Sequence, residues 1–538
     1  MLRKLIAIGV FVLALAPSAY LAWTYRAMPH LGYYHDDSLY FVSGKSLAAG
    51  DGYRISSLPG EPYQTKYPPL YSALLAIVWK IDPSFPSNLP IATLLAWLLL
   101  PAYLAMVWLF LRQFDFSRRD QCLLVLVAGL SPIAAVFSFS LMPELLFTAL
   151  LLGSVCLAER SLQPNASGWL PVLAGTCCAL AYLTKSSAAP LLLTVPICFV
   201  LRKQFGNAAR FFLAMLPAVA GWQWWVSQHL SRSWDLVTLY YTNYVGFQIY
   251  NVRVQDLPLV IWHNLDGFLM GAGKLLAFDI PVGSVHLERV VAVAAIAGCV
   301  RLARKSGKLQ YPLAALGMSA MLLVWHYTPD QRFVFPMYPL LLAGLWTELA
   351  NVCAVLRTSW KKPARADRSA AVVGAGLLAA LALFIACTTV FGLFWFLPAL
   401  FDSYRMALEQ RRPAYEWIAR NAPQQANVFA YDDPMLYLYT GRKSCNMPIP
   451  TKLYYHNDDA GIDKLLHTIP DFARQYNLGY ALLTHDDFYR DLRENGAKHL
   501  SEAVESSHSF QKTFETPALS IYRFNNTTAA VLPASRGF

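Results

Sequence analysis

Two adjacent carboxylates, Asp36 and Asp37, stand in the stretch Tyr34-His35-Asp36-Asp37-Ser38-Leu39-Tyr40 of a chain in which only 14% of the residues are charged. A carboxylate with a short reach to an alcohol and shelter from water can accept the alcohol's proton, so the pair suggests general-base chemistry. A helix over 35–44 puts Asp36 and Tyr40 on one face, four residues apart, and turns Asp37 roughly 100° away. One acid then points into any cleft. If the two lie close together, repulsion raises the proton affinity of one of them. The plainer reading is that the pair solvates a loop or caps a helix.

Cations accompany the acids. Lys66 and Tyr67 head the turn Thr65-Lys66-Tyr67-Pro68-Pro69-Leu70, where an ammonium beside a membrane-surface segment suits a lipid phosphate; an ordinary snorkelling lysine is the alternative. Glu144, in Ser140-Leu141-Met142-Pro143-Glu144, begins an apolar helix, and Lys185, after Ala181-Tyr182-Leu183-Thr184, ends another. Each complements a helix dipole there, yet charge next to a bilayer is expensive and tends to be functional. Arg332, in Thr328-Pro329-Asp330-Gln331-Arg332-Phe333, can fork onto phosphate oxygens at a helix mouth or pair with Asp330.

The elements that must position these groups are membrane helices. The chain has 538 residues, 56% of them hydrophobic, with repeated apolar runs of the length a helix needs to cross a bilayer. Read in order, the runs predict about 11 transmembrane helices, near 5–24, 89–111, 121–139, 143–158, 169–184, 187–201, 209–226, 287–303, 309–326, 333–356 and 370–397. Basic residues cluster in alternate connections, in Arg3-Lys4, Arg112 to Arg119, Arg160, Arg202 to Arg210, Arg301 to Lys308 and Arg357 to Arg368. Such clusters stay on the cytoplasmic side, which puts the N-terminus in the cytoplasm and the acid pair and everything after 397 outside. From residue 398 onward 15 Lys and Arg meet 16 Asp and Glu, a balance of −1, so of the net charge of +11 an excess of +12 belongs to the membrane part. Topology explains that charge, and no nucleic-acid partner is needed. The first apolar run is long enough to span and reads as a retained anchor rather than a cleaved signal. Eight of the nine cysteines lie in or beside the spans, Cys445 alone falls in the outer tail, and no Cys/His spacing resembles a zinc site.

Three outer segments interrupt the helices. Loop 25–88 carries Gly and Pro turn signals, then an apolar run from Leu70 to Ile81 too short to span, read as a helix at the membrane surface. Loop 227–286 is rich in Trp, Tyr and Asn, including Tyr240-Tyr241-Thr242-Asn243-Tyr244, which serve as an aromatic belt or as ligand contacts. The tail, 398–538, alternates helical stretches (Arg412 to Asn421, Ile462 to Asn477) with strand-like runs at Asn427 to Tyr431, Gly479 to Thr484, His508 to Phe514 and Ala518 to Phe524. That alternation predicts a small α/β domain, and its Asp432-Asp433 reads as a loop feature echoing the first pair.

Taken in order, these motifs resemble the GT-C membrane glycosyltransferases, specifically the protein O-mannosyltransferase and aminoarabinose lipid A transferase superfamily, and most closely its bacterial branch of lipopolysaccharide glycosyltransferase-like proteins. The resemblance rests on Asp36-Asp37-Ser38-Leu39-Tyr40, Pro68-Pro69-Leu70, Pro143-Glu144, Leu183-Thr184-Lys185 and Arg332-Phe333 through Pro339, and covers residues 1 to about 397. Asp37 stands where Glu is commoner, and Lys66-Tyr67 where His or Lys often directly precedes the prolines.

The resemblance implies a polytopic α-helical membrane protein of GT-C type, with a transmembrane catalytic domain over 1–397 and a soluble extracytoplasmic α/β domain over 398–538. The implied reaction, at the outer face of the inner (cytoplasmic) membrane, is inverting transfer of a sugar from a polyprenyl-phosphate donor to a hydroxyl of a glycolipid, glycan or protein. Asp36 would activate the acceptor and Asp37 and Tyr40 would orient base or acceptor. Lys66, beside Tyr67, and Arg332 would stabilise the leaving phosphate, and Glu144 and Lys185 would line the cleft. No cofactor is required across the superfamily, and a divalent metal is left open. The rival from another class is a transporter of lipid-linked or small polar solutes, which predicts internal repeats and polar groups at the bilayer midplane; here the acids cluster at the outer face and no repeat stands out. A sensor or scaffold would not need Asp36.

Overall fold

In the computed structural model, residues 2–278, 285–360, 365–488 and 496–525 are described. Residues 279–284 of the expected loop 227–286, 361–364 of the basic segment before the last helix, and 489–495 and 526–538 of the expected outer domain lie outside them.

The eleven expected crossings are corrected by the helices themselves. Among the described residues three are long and apolar enough to cross a membrane: Leu89–Leu111, Gln331–Trp360 and the continuous run Arg368–Asn421. A fourth is added if Arg118–Gly129 and Pro132–Ser138, bent by 59° at their junction, are one broken span. Most of the other apolar runs fold into shorter or more charged pieces, and in Phe205–His229, 25 residues long, Asn, Gln, Gly and Trp dilute the hydropathy. A turn at Ser186–Ala188 cuts the run expected over 187–201 and leaves the helix Leu191–Leu201, 11 residues, roughly 16 Å long and about half a hydrocarbon core. Trp169–Thr184 has 16 residues and Gln310–Leu323 has 14, while Glu144–Ser161 carries Glu144, Glu159 and Arg160 within its 18. Composition summed over a window counts apolar residues across a backbone break, whereas a crossing needs one unbroken hydrogen-bonded helix. The protein is a helical membrane protein in which, among the described residues, three or four long apolar helices are packed among shorter or more polar ones.

Two helices of the first outer loop build the floor of the site. Asp36–Ala49 ends at Gly50, whose φ of 88° makes the left-handed cap that glycine accepts without strain. Pro69–Ile81 begins on a proline, which needs no N–H partner at that position, and buries Tyr71, Ser72, Leu75, Val78 and Trp79 along one face. The two helices cross at Gly44, where an added Cβ would stand 3.0 Å from the Ser72 carbonyl oxygen and 3.1 Å from Leu75 Cβ.

The tail carries a five-stranded sheet of β1 (Asn427–Phe429), β2 (Lys443–Cys445), β3 (Leu478–Thr484), β4 (Phe510–Thr516) and β5 (Leu519–Phe524), in the order β2-β1-β3-β5-β4. β1 pairs in parallel with β2 and β3, and β5 runs antiparallel to both β3 and β4. One buried cluster joins Leu39, Phe41 and Val42 of the first loop, Tyr241 of the second, and Phe429, Met435, Cys445 and Leu483 of the tail. Polar ties reinforce it: the Ser444 N–H donates to the Ser57 carbonyl at 2.8 Å, Lys443 pairs with Glu61, and the Tyr455 hydroxyl donates to Asn264 at 2.7 Å. Sheet and outer loops thus share one core, and Cys445 is a buried free thiol within it.

Candidate active site

Five segments meet at Asp36. His35 takes a positive φ of 60°, which turns the loop so that Asp36 becomes the first residue of its helix. The Asp36 carboxylate accepts the Tyr67 hydroxyl on one oxygen and the Arg332 guanidinium on the other. From Arg332, Nε donates to Glu144 Oε1 at 2.9 Å, and Lys185 Nζ donates to the same oxygen at 2.7 Å. Glu144 opens one helix and Lys185 closes the next, so neighbouring antiparallel helices bring the two side by side. Asp330, the plainer partner for Arg332, is engaged otherwise: its carboxylate caps the short helix Gln331–Val334 by accepting the N–H groups of Arg332 and Phe333. The guanidinium is left to bridge Asp36 and Glu144, the forked geometry arginine is built for.

Lys66 reaches the same place without a carboxylate of its own among the described residues. Its Nζ lies 4.5 Å from the Tyr240 ring centre, 5.1 Å from Tyr67 and 5.2 Å from Tyr244, a cation held on aromatic faces. Backbone geometry is set by Gln64, whose Oε1 accepts the N–H groups of both Lys66 and Tyr67 at 3.1 Å. Tyr40 is buried with its ring 4.7 Å from that of Tyr67 and supports it from beneath. Asp37, expected beside Asp36 in the chemistry, is turned away from the cluster: wholly buried, it accepts the Gly32 N–H at 3.1 Å and the Ser38 N–H at 2.8 Å.

The two acids consequently titrate in opposite directions. Burial would raise the Asp36 carboxyl, but the charges of Arg332 and Lys66 and the bonds from Tyr67 and Arg332 outweigh it and hold the group well below the usual carboxylate range. Burial dominates at Asp37, which is pushed up to about 7 against its two backbone bonds. Burial likewise lowers the Lys66 ammonium to about 8, with the Asp36 charge opposing. Asp330 adds a third acid within range of Arg332 and Lys185, and Lys66 is the cation of the cluster with no bonded carboxylate among the described residues, open to an anion.

Two cavities flank this cluster. One of about 500 Å³ is mostly apolar, walled by Trp222, Val226, Met321 and Leu322, with Lys66 and Lys185 on its lining. The other, about 330 Å³, lies between the first outer loop and the tail, lined by Tyr34, His35, Tyr240, Arg411, Tyr415 and Asp432 among others. Among the described residues no group of three or more His, Cys, Asp or Glu is placed to hold a metal ion.

Sequence reasoning missed the contribution of the tail. Asp433, read as part of a loop feature, is wholly buried and bonds His35 Nε2 at 2.8 Å. It also accepts the Tyr241 hydroxyl at 2.8 Å, and Tyr240 lies 3.3 Å from His35 Nδ1. The run Tyr240 to Tyr244, left open between belt and ligand contact, faces the site. The adjacency of His35 to Asp36 was the one local signal available; nothing in the spacing joins residue 35 to residue 433.

No family model matches the chain, and no curated protein sequence does. Solved structures do. The apo form of the Archaeoglobus fulgidus oligosaccharyltransferase is similar at a TM-score of 0.52 and 13% identity, over 98% of this chain and 75% of that one. The Archaeoglobus fulgidus oligosaccharyltransferase AglB, solved with an inhibitory peptide and a dolichol-phosphate, is similar at 0.51 and 11%, with the same coverage. ArnT from Cupriavidus metallidurans bound to undecaprenyl phosphate aligns over 99% of both chains at 0.46 and 15%. Over almost its whole length the chain shares the fold of the archaeal oligosaccharyltransferase.

Proposed function

We propose that the protein transfers a sugar from a polyprenyl-phosphate donor to a hydroxyl acceptor at the outer face of the cytoplasmic membrane, with inversion at the anomeric carbon. The observation that carries this reading is Asp36 held ionised by Arg332 next to an apolar cavity lined by Lys66 and Lys185. The prenyl chain occupies that cavity and its phosphate meets Lys66 and Arg332. The acceptor, a glycolipid, glycan or protein hydroxyl, enters through the tyrosine-lined cavity beside the tail. Its O–H proton passes to Asp36 while the oxygen forms a bond to the anomeric carbon. The bond from that carbon to the phosphate oxygen breaks, and its electron pair leaves with the phosphate. Cations preorganised at the departing oxygen stabilise the charge that develops there.

A carboxylate held so far below its ordinary range is a weak base, and the donor itself supplies the remedy. Its negative charge offsets Arg332 and Lys66, so the proton affinity of Asp36 rises once the donor is seated. Asp37 keeps the Gly32–Ser38 turn in shape. The AglB structure contains a dolichol-phosphate, a lipid phosphate of the carrier class this reading requires.

The basic segments support the orientation. Arg202 meets the Gly307 carbonyl where Arg202 to Arg210 and Arg301 to Lys308 come together, and such clusters stay on the cytoplasmic side. That side faces the cytoplasm with the N-terminus, and the site and the tail face out, residues 1–397 forming the catalytic membrane domain and 398–538 the extracytoplasmic one.

Asp36→Asn tests the reading directly, read by mass spectrometry of glycolipids and glycoproteins from a complemented deletion strain. Transfer falls by about 10²- to 10⁴-fold, while membrane insertion and binding to vesicles containing undecaprenyl phosphate persist. Unchanged transfer overturns it.

A further inference from the structure

The tail sends one ionisable side chain to the residue next to Asp36. Asp433 is the first residue of the helix Asp433–Thr440, wholly buried and 398 positions from its partner. It bonds His35 Nε2 and the Tyr241 hydroxyl through the same oxygen, both at 2.8 Å. Its backbone is fixed in turn by the Ser444 hydroxyl, which donates to the Asp433 carbonyl at 2.6 Å. The same short helix presses on the loop elsewhere: a Cβ at Gly32 would lie 2.7 Å from Met435 Cγ, and the Gly32 N–H holds Asp37.

We infer that Asp433 is a positioning residue for Asp36: by gripping His35 it fixes the turn from which the base projects, so that the tail completes the active site. The inference rests on the proposed role of Asp36. His35 sits at positive φ, a conformation an ordinary side chain holds only when its surroundings enforce it, and Asp433 and Tyr240 enforce it through the two ring nitrogens. With Nε2–H donating to Asp433, Nδ1 accepts the Tyr240 hydroxyl, so a neutral imidazole satisfies both contacts. A protonated one keeps the bond to Asp433 as a charge-assisted pair. Asp36 and Lys66 also face His35, and Tyr241, Asp432 and Cys445 face Asp433. The base therefore stands on a titratable link to a part of the chain about 400 residues away.

The test uses membranes from the complemented deletion strain, supplied with the strain's own lipid extract, with the transfer rate followed from pH 5 to 9. Asp433→Asn lowers the rate about 10- to 100-fold, the scale of a small misplacement of a reacting group, and binding to vesicles containing undecaprenyl phosphate stays as in the unmodified protein. His35 loses the carboxylate that favours its protonated form, so the inflection of the pH profile moves to lower pH. A contact of structural value alone lowers the rate and leaves the inflection in place. His35→Ala lowers the rate to a similar degree, and the double variant falls no further, because the two residues act through one link. An unshifted inflection, or losses that multiply in the double variant, overturns the inference. So does a wild-type rate in Asp433→Asn. If Asp433→Asn does not accumulate in membranes, His35→Ala, which leaves the internal contacts of the tail alone, decides by its own rate and profile. Failure here with Asp36→Asn still inactive removes the positioning role and keeps the transferase reading; an active Asp36→Asn removes both.

Discussion

The chain contains two Asp-Asp pairs, Asp36-Asp37 and Asp432-Asp433, each at the start of a helix, and in each one acid meets an arginine while the other is buried. Asp36 lies on Arg332 and Asp432 on Arg411; Asp37 holds backbone N–H groups and Asp433 holds His35 and Tyr241. They differ in what the arginine does next. Arg411 goes on to Asp486, which is well exposed, and Asp487 also faces it, so its charge is outnumbered by acids. Arg332 goes on to Glu144, wholly buried, with Lys185 beside it, and Lys66, which has no bonded carboxylate among the described residues, stands on the lining of an apolar cavity. Identical dipeptides thus take different roles, because enclosure and a nearby cation without a bonded acid decide whether a carboxylate stands ready for a ligand or is simply neutralised.

Matched substitutions in the two pairs put that contrast under strain. The largest effect is expected from Arg332→Met, which leaves the Asp36 carboxylate in a confined space without its bonded cation, while Lys185 stays on Glu144. A loss of about 3–5 kcal/mol is expected, read from thermal unfolding in detergent. Asp432→Asn, the counterpart in the tail, shifts stability by less than about 1 kcal/mol, since Arg411 keeps an exposed partner in Asp486. Equal losses would erase the distinction.

Next comes Lys66→Met. If Lys66 is the unpaired cation of the site, affinity for undecaprenyl phosphate in vesicles drops by about 1.5–3 kcal/mol, the range for a hydrogen bond to a charged group, with the fold intact. Unaltered affinity would leave that cation without a role.

A graded effect separates the two members of the first pair by pH. Asp37 has a folded-state pKa of about 7, above its unfolded value of about 4. Between those values the native protein keeps a proton that the unfolded chain has lost, so stability declines as pH rises from about 4 to 7. Asp487, also raised by burial to about 7, acts with the same sign. Asp37→Asn gives a shallower decline in thermal midpoint over that range; a slope identical to that of the unmodified protein would show that Asp37 does not titrate as its burial requires.

Much of the site was legible before folding because charge is conspicuous in an apolar chain. Asp36, Lys66, Glu144, Lys185 and Arg332 stand out by type and by their places at helix ends, and Asp36, Tyr67, Glu144, Lys185 and Arg332 prove to form one bonded chain. Alternation and turn residues marked the strands near 427, 479, 510 and 519. The three-residue strand Lys443–Cys445 escaped, because Lys-Ser-Cys offers none of the β-branched or aromatic residues that marked the equally short Asn427–Phe429. The count of membrane crossings failed for a different reason: hydropathy sums over residues and does not register the breaks at Gly129–Pro132 or Ser186–Ala188 that shorten the helices.

Residue types and their order were enough to establish a membrane protein with an ionisable cluster and a polar tail, since hydrophobicity, charge and periodicity belong to the chain before it folds. Which acid of each pair meets a cation, and that Asp433 comes to rest against His35, depended on packing. Contacts between residues hundreds of positions apart leave no periodic trace along the chain, and a carboxylate's proton affinity is set by whatever the fold brings within a few ångströms of it.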